Sequence, residues 1–445
     1  MQITDEQQKI TSTNTDKPAG KFLRTFSALQ SRNFRLFWTG QLISLVGTWM
    51  ASTGQSWLVL QLTHSALALA VAGALQFLPI LLFSLFGGIL ADRLPKKRML
   101  LFTQSFSALQ AIILFLLVAT HTVQVWHVYI LATMLGLTNA IDMPTRQAFV
   151  VEMVGSDTVS NAIALNSSIF NMARIVGPGI AGIIIARLGE APLFLLNAFS
   201  FVPVLIGLAL INSKQLHRQP QISNQPRVGT MQSLRQGLDY VWKTPAVLLV
   251  IAVIGAVSLF GINFNVSLPL VATELLHSNA EGYGVISSAL GLGALLSALW
   301  LAAGNRRPSL VQMLIACNAF SILLGLFALS HWYPLSIVLI AATGFAQIAF
   351  TAVANTTLQT VTPDHLRGRI MSVYMLVLNG STPLGNLFIG VLAHGFGISI
   401  AILVGALLSW LAAIVGWMKR APALKSVRQA NTIHEYSTST VIHGK

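Results

Sequence analysis

The sequence predicts an all-α polytopic membrane protein, because its composition is strongly apolar and its apolar residues fall into twelve long segments. Hydrophobic residues make up 54% of the 445 residues and charged residues only 9%, and the mean hydropathy is +0.71. Soluble domains carry about 25% charged residues, so this composition excludes an ordinary soluble protein. Within a bilayer such segments must be helices, since a helix satisfies its backbone hydrogen bonds internally.

Each of the twelve segments is long enough to cross about 30 Å of hydrocarbon, and one hydrophilic break divides them into six and six. The predicted spans are 34–62, 66–91, 99–119, 126–145, 160–187 and 191–211, followed by 246–272, 283–303, 310–329, 333–361, 370–394 and 397–418. The predicted organisation is a tail (1–33), a six-helix half (34–212), a linker (213–245), a second six-helix half (246–418) and a tail (419–445).

The linker contains apolar residues at helical spacing, which predicts an amphipathic helix lying on the membrane surface. Its apolar positions are Met231, Leu234, Leu238, Val241 and Trp242, with Arg235 and Asp239 between them.

Basic residues predict the orientation of the spans. Of the 27 lysines and arginines, all but Arg174 and Arg187 fall in the tails and in the loops on the same side as the tails. The positive-inside rule therefore places both termini in the cytoplasm of a bacterial inner membrane. Residues 1–33 are polar and contain no signal peptide, so the first span is expected to direct insertion. The net charge of +14 then reflects topology and contact with the lipid bilayer, and no nucleic-acid partner is expected.

A short charged turn between the second and third spans contains the most informative motif. A carboxylate at the end of a helix, followed by a cluster of bases, is expected to engage neighbouring helix ends. Small residues just before the turn allow another helix to approach closely. The motif residues are Gly88, Leu90, Asp92, Arg93 and Lys97.

This turn resembles the cytoplasmic signature of the major facilitator superfamily, although Pro95 stands where that family usually has glycine. The resemblance implies two six-helix halves, each made of inverted triplets, around a central cavity that opens alternately to the two sides of the membrane. A weak internal repeat agrees with related halves, since Gly177, Gly182 and Gly189 recur at the same spacing as Gly385, Gly390 and Gly397.

Arg174 is the most conspicuous charged residue within a span, about 21 Å along the fifth helix. One interpretation is that Arg174 faces the cavity and binds an anionic substrate group or a carboxylate that titrates during transport. The alternative is a structural arginine bonded to polar groups of neighbouring helices, such as Asn139 or Asn171.

Asp142 and Arg146 are spaced i, i+4 near the end of the fourth span, so both lie on one helix face. We expect them to form a gate with the 92–98 turn, as an ion-pair network that separates in the other transport state. The alternative is a snorkelling pair that anchors the helix end.

Gly177, Pro178, Gly179 and Gly182 resemble a glycine–proline motif found in the fifth span of superfamily antiporters. Proline bends the helix and glycines allow close packing, so generic helix packing remains the alternative. Further candidates for substrate or coupling contacts are the intramembrane amides Gln55, Asn139, Asn171, Asn263 and Gln347.

Motifs for metal binding, ATP hydrolysis and peptide hydrolysis are absent from the sequence, so we expect no enzyme, no metal and no cofactor. Energy is then expected to come from a gradient of protons or another coupling ion, an expectation that rests on the resemblance. The pattern of residues 139–182 is similar to the branch of bacterial exporters that includes the enterobactin exporter and macrolide efflux proteins. The predicted function is therefore export of a small molecule (drug, siderophore or other metabolite) by a monomer; uptake of a metabolite, or a transport-inactive sensor or scaffold, are the alternatives.

Overall fold

The computed structural model describes residues 26–156, 158–217, 230–304, 309–421 and 423. These residues form helices joined by short connections, and this part of the chain contains no β-strand. The predictions for most of both tails and for the linker residues 218–229 lie outside the described residues.

Six long helices come first in the chain, and we call them the first helix group. They are α1 (Arg32–Thr63), α2 (Ala66–Arg93), α3 (Lys96–Ala119), α4 (Val125–Val154), α5 (Val159–Leu188) and α6 (Ala191–Leu210). A short 3₁₀ turn, Ser27–Gln30, precedes α1, and a second, Ser213–Gln215, follows α6.

The linker helix and a second helix group follow. They are α7 (Thr230–Lys243), then α8 (Pro245–Phe260), α9 (Phe264–Leu270), α10 (Ala280–Ala303), α11 (Leu310–Leu329), α12 (Tyr333–Val361), α13 (Asp364–Phe396) and α14 (Ile398–Met418). A π-helical turn, Val271–Leu275, continues α9.

Ten helical segments among the described residues are long and apolar enough to cross a membrane, with α8 and α9 counted as one segment. The two long helices outside that set, α1 and α4, have 32 and 30 residues. The all-helical prediction is therefore confirmed, while the count of twelve spans stays a prediction.

The helices depart from the predicted spans most clearly at two places. The fourth helix continues beyond 145 to Val154, because Phe149 and Met153 are buried in a core that extends past the apolar segment. The seventh span is interrupted between α8 and α9 at Gly261, where a Cβ would lie 2.8 Å from the ring of Phe320. Glycine relieves that crowding but weakens a helix, which accounts for the break.

The two helix groups touch each other along a small number of helix pairs. Helix α5 packs against α10, α2 packs against α13, and α9 packs against α1 and α2. Small residues make these contacts close. A Cβ on Gly284 of α10 would lie 2.6 Å from the carbonyl oxygen of Pro178, and one on Gly182 would lie 2.7 Å from that of Ala280.

These contacts lie near one end of the molecule, which we call the closed end; it contains the start of α2 and the end of α5. Along the α2–α13 pair the contacts run from Ala66 and Gly390 as far as Leu81 and Gly380. At the other end, the open end, a Cβ on Gly88 would meet nothing within 4 Å. Among the described residues, the close contacts between the two helix groups are therefore gathered at the closed end, and Gly88 lies beyond them.

The predicted amphipathic helix of the linker is present as α7, which packs against α13 and α8. A Cβ on Gly237 would lie 3.3 Å from Val373 of α13. Val241 is buried, whereas Leu238 and Trp242 are exposed. A helix with both a packed and an exposed apolar face is suited to bridge the second helix group and a lipid surface.

Candidate functional site

A cavity of about 200 Å³ lies between the two helix groups. Its lining combines aromatic rings, one cation and several uncharged polar groups, and includes Trp49, Ser52, Thr53, Phe77, Arg174, Pro178, Asn263, Phe264, Asn265, Tyr283, Ser287, Gln347, Thr382 and Asn386. An apolar wall with a few convergent polar groups is typical of a small-molecule site.

Arg174 supplies the cation of this cavity from the middle of α5. Its guanidinium carbon lies 6.0 Å from the centroid of the Trp49 ring on α1. The ion pairs of the described residues involve other side chains, and in this part of the chain no carboxylate lies within ion-pair distance of Arg174. An arginine near the centre of a membrane helix costs at least roughly 2.5–3.5 kcal/mol, and a cation–π contact offsets about 0.5–2 kcal/mol of it.

Pro178 shapes the backbone around Arg174. Because proline has no N–H, it leaves the carbonyl of Arg174, four residues earlier, without its helical donor. Gly291 of α10 allows close approach here, since its Cβ would lie 3.1 Å from that carbonyl oxygen. Ser288 of α10 donates a hydrogen bond to the next carbonyl, that of Ile175, at 2.7 Å. This part of α5 therefore joins the cavity wall to the contact between α5 and α10.

Three amide side chains from the second helix group face the same cavity. Asn263 follows the break after α8, Gln347 lies on α12 and Asn386 lies on α13, and all three are buried. Both polar atoms of the Asn386 amide, the Oδ1 of Asn263 and the Oε1 of Gln347 have no protein partner. A buried polar atom without a partner costs about 1–3 kcal/mol, so these groups are suited to water or to a ligand.

The remaining amide candidates separate into two sets. Gln55 lines a small polar recess of about 10 Å³ with Gln76, and this recess shares Ser52 and Asn265 with the main cavity. Asn139 and Asn171 do not appear among the lining residues of either space. The Asn171 amide donates to the Ser167 carbonyl at 2.8 Å, within its own helix.

Aromatic packing closes the cavity at the closed end. The rings of Trp57 on α1 and Tyr283 on α10 are stacked, with centroids 6.0 Å apart and both side chains buried. With the Gln61 amide oriented so that its oxygen accepts from the Trp57 indole N–H at 2.8 Å, its nitrogen donates to the Glu190 carboxylate at 2.6 Å. Glu190 precedes α6, so three helices converge on this stack.

The glycine–proline motif lies at the same end. A Cβ on Gly177 would lie 2.6 Å from the Cβ of Trp49, and one on Gly179 would lie 3.0 Å from the Ser288 hydroxyl. Together with the Gly182–Ala280 contact described above, these positions place the motif in close helix packing on both sides of α5.

A buried polar cluster lies towards the open end, between α3 and α4. Asp142 is 2% exposed, and its Oδ1 accepts hydrogen bonds from Thr103 at 2.6 Å and from Gln104 at 2.8 Å. Its Oδ2 accepts from Arg146, through Nε at 3.0 Å and through Nη2. The predicted Asp142–Arg146 pair is therefore present, and its partners lie on α3 rather than in the 92–98 turn.

The 92–98 turn is anchored by its lysines. Lys96 forms an ion pair with Glu152 at 2.7 Å. Lys97 donates to the carbonyl oxygens of Ala209 at 3.0 Å and Ile211 at 2.8 Å, where a cation suits the carbonyl end of α6. Asp92 and Arg93 are exposed.

Residues 23–443 match the sequence profile of a family described as transmembrane secretion effector. The chain belongs to this family of the major facilitator superfamily. The family consists of transporters, so the expectation that the protein is not an enzyme is confirmed.

Curated relatives of this family member include exporters and a siderophore transporter. The staphyloferrin A transporter of Staphylococcus aureus is 26% identical over 82% of this chain and 90% of its own length. The multidrug efflux pump Tap of Mycolicibacterium fortuitum is 29% identical over 81% and 88%. The enterobactin exporter EntS of Shigella boydii is 26% identical over 77% and 80%. The predicted resemblance to bacterial exporters is confirmed.

Solved structures of other transporters share the fold. A mutant of the nucleoside transporter NupG aligns with a TM-score of 0.66 and 15% identity, over 89% of this chain and 99% of that one. A bacterial homologue of the lysosomal transporter Spinster, in an inward-facing and occupied conformation, aligns with a TM-score of 0.65 and 13% identity, over 89% and 98%.

For this secretion-effector family member, the structure brings three of the candidate substrate or coupling residues, Arg174, Asn263 and Gln347, together at one cavity, and their role stays a prediction. Asn386 was missed, although an amide after a glycine in an apolar span was a visible signal. Trp49 and Tyr283 were also missed, because an aromatic residue in a membrane span carries no sequence signal that separates a cavity wall from packing or from lipid contact.

Proposed function

We propose that the protein is a secondary active exporter of a small molecule, with twelve membrane spans arranged as two six-helix halves, α1–α6 and α8–α14. The observation that carries this proposal is the polar cavity between the two helix groups, whose close mutual contacts gather at the closed end. A cavity of this kind can load from one side and, after the groups rock, release to the other side. Family membership supports the same mechanism.

The direction and the coupling ion belong to the same proposal. The names of two relatives, the efflux pump Tap and the exporter EntS, support export. The basic loops support a bacterial inner-membrane protein with both termini, and the open end, in the cytoplasm. Proton antiport would supply the energy, and the helix contacts support a transport path within a single chain.

We further propose that the open end carries the gate. Asp92 and Arg93 are exposed and Gly88 has open space around it, which suits residues that make their contacts only when the open end closes. Lys97 and the Asp142–Arg146 pair hold α3, α4 and α6 together, so the turn would move as part of one rigid body. A carboxylate at the end of α2 would then meet a helix end of the opposite half.

The decisive experiment compares cells that lack the protein with cells that overproduce it. Sensitivity to a panel of toxins and siderophores, and the metabolites in the culture medium, are measured in both. Export predicts at least one compound whose external amount rises with the protein and falls without it. Everted membrane vesicles then test coupling, since the same compound should enter them only while a pH gradient is maintained.

A compound that accumulates inside overproducing cells would reverse the direction. If neither external nor internal amounts change for any compound, the transporter proposal is wrong.

A further inference from the structure

We propose that the substrate is a soluble organic acid, whose ionised acidic group is held by Arg174 and whose other polar groups are hydrogen-bonded by Asn263, Gln347 and Asn386. This inference deepens the proposed transport function and rests on it.

Charge is the first argument. The guanidinium of Arg174 lines the cavity beside the Trp49 ring, and in the described part of the chain it has no carboxylate partner. The ring face attracts a cation, but it neutralises no charge. A ligand carboxylate accepts two parallel hydrogen bonds from a guanidinium and supplies the missing negative charge. A cationic ligand at the same place would be repelled, so the cavity discriminates by charge.

Unpartnered amides are the second argument. Asn386 is 0% exposed and both of its polar atoms lack a protein partner, while Asn263 and Gln347 each present an unpartnered carbonyl oxygen. An amide offers donors and acceptors together, so this set recognises hydroxyl or amide groups of a ligand. A site built to hydrogen-bond such groups rejects analogues that lack them, because its own polar atoms then remain unpaired.

The third argument is the division of these residues between the two helix groups. Arg174 belongs to α5 in the first group, whereas the three amides belong to the second group. A ligand bound to both kinds of partner therefore links the two groups across the cavity. The free energy of that link favours conformations in which the groups approach, which is what a substrate must do to drive alternating access.

The experiment identifies the compounds that the protein releases and asks whether Arg174 recognises their charge. Cells overproduce the wild type, Arg174→Gln, Arg174→Lys or the control Arg187→Gln, which removes an exposed arginine from the end of the same helix. Protein abundance in the membrane is matched, and the medium is analysed by mass spectrometry for soluble acids, neutral compounds, cations and phospholipids.

We expect the released compounds to be soluble and to carry an acidic group that is ionised at pH 7. Arg174→Gln should reduce their release at least tenfold, Arg174→Lys should retain part of it, and Arg187→Gln should leave it unchanged. If Arg174→Gln does not reach the membrane, the charge of the compounds released by the wild type still decides the question.

Asn386→Ala tests the amide contribution. We expect it to raise the concentration needed for half-maximal transport of the released compound about tenfold, with membrane abundance unchanged. Release of cations, neutral compounds or phospholipids, or equal release by the wild type and Arg174→Gln, would overturn the inference but not the export function. No protein-dependent release of any compound would instead overturn the export function itself.

Discussion

Asp142 shows how a single buried residue stabilises this fold. Its carboxylate accepts hydrogen bonds from Thr103 and Gln104 and forms an ion pair with Arg146, so one buried group joins α3 to α4. The exposed pair between Asp239 and Lys243 on α7 has the same i, i+4 spacing and a distance of 2.7 Å, but its side chains are 59% and 73% exposed. Because the spacing is the same, a comparison of the two pairs shows how burial of the carboxylate affects the free energy of unfolding.

We expect Asp142→Asn to lower the free energy of unfolding by roughly 1.5–3 kcal/mol, because the buried carboxylate loses its charge-assisted hydrogen bonds, while Arg146 itself is 23% exposed. Asp239→Asn should change it by less than about 1 kcal/mol, since the pair on α7 is solvated. Thermal unfolding in detergent, followed by intrinsic fluorescence, measures both variants against the wild type. Equal losses of thermal stability would show that burial does not govern this pair.

The sequence predicts contacts between residues of one helix, but not contacts between helices that are far apart in the chain. The Asp142–Arg146 pair follows from helical spacing, and Arg174 is conspicuous because a charge interrupts an apolar segment. The Lys96–Glu152 ion pair joins helices far apart in the sequence, so it depends on tertiary packing that no local pattern encodes. For the same reason, the sequence identified Gln347 and Asn263 as candidates but could not show that they share a cavity with Asn386.

At the scale of helices, glycines determine where the two groups approach. On α10, Gly284 lies against the carbonyl of Pro178 on α5, so any side chain there would push the closed end apart. On α2, Gly88 has open space around it in the described conformation. Nothing in the described conformation requires a glycine at position 88. The glycine is explained if another helix packs closely against it in the other conformation.

We therefore expect Gly284→Leu and Gly88→Leu to block transport in opposite conformations. Gly284→Leu should disfavour the closed end, because its Cβ alone would lie 2.6 Å from a backbone oxygen. Gly88→Leu should fold normally and hold the described conformation, since it prevents closure of the open end. Single cysteines placed at either end in a Cys317→Ser background, and labelled with a membrane-impermeant maleimide, report which end is accessible.

For Gly88→Leu, labelling should increase at the open end and decrease at the closed end; for Gly284→Leu the changes should be reversed. Normal transport by Gly88→Leu at wild-type abundance would show that Gly88 never enters a close contact.

At the scale of the whole molecule, charge asymmetry relates the two ends to the two sides of the membrane. The described basic turn at Lys96 and Lys97 lies at the open end, and the closed-end connections at residues 63–65 and 121–124 contain no lysine or arginine. Positive charges are retained on the cytoplasmic side during insertion. The open end is therefore expected to face the cytoplasm, and an exporter in this conformation is ready to load.

Reporter fusions test this orientation directly. Alkaline phosphatase folds only in the periplasm and green fluorescent protein fluoresces only in the cytoplasm, so each is fused after Lys445, within residues 219–229, or within residues 121–124. The first two sites should give fluorescence without phosphatase activity, because an even number of spans separates them. The third site should give phosphatase activity alone, since an odd number of spans precedes it.

One result would contradict the arrangement of six spans and six. Phosphatase activity after Lys445, together with fluorescence within 219–229, would require an odd number of spans in the second half.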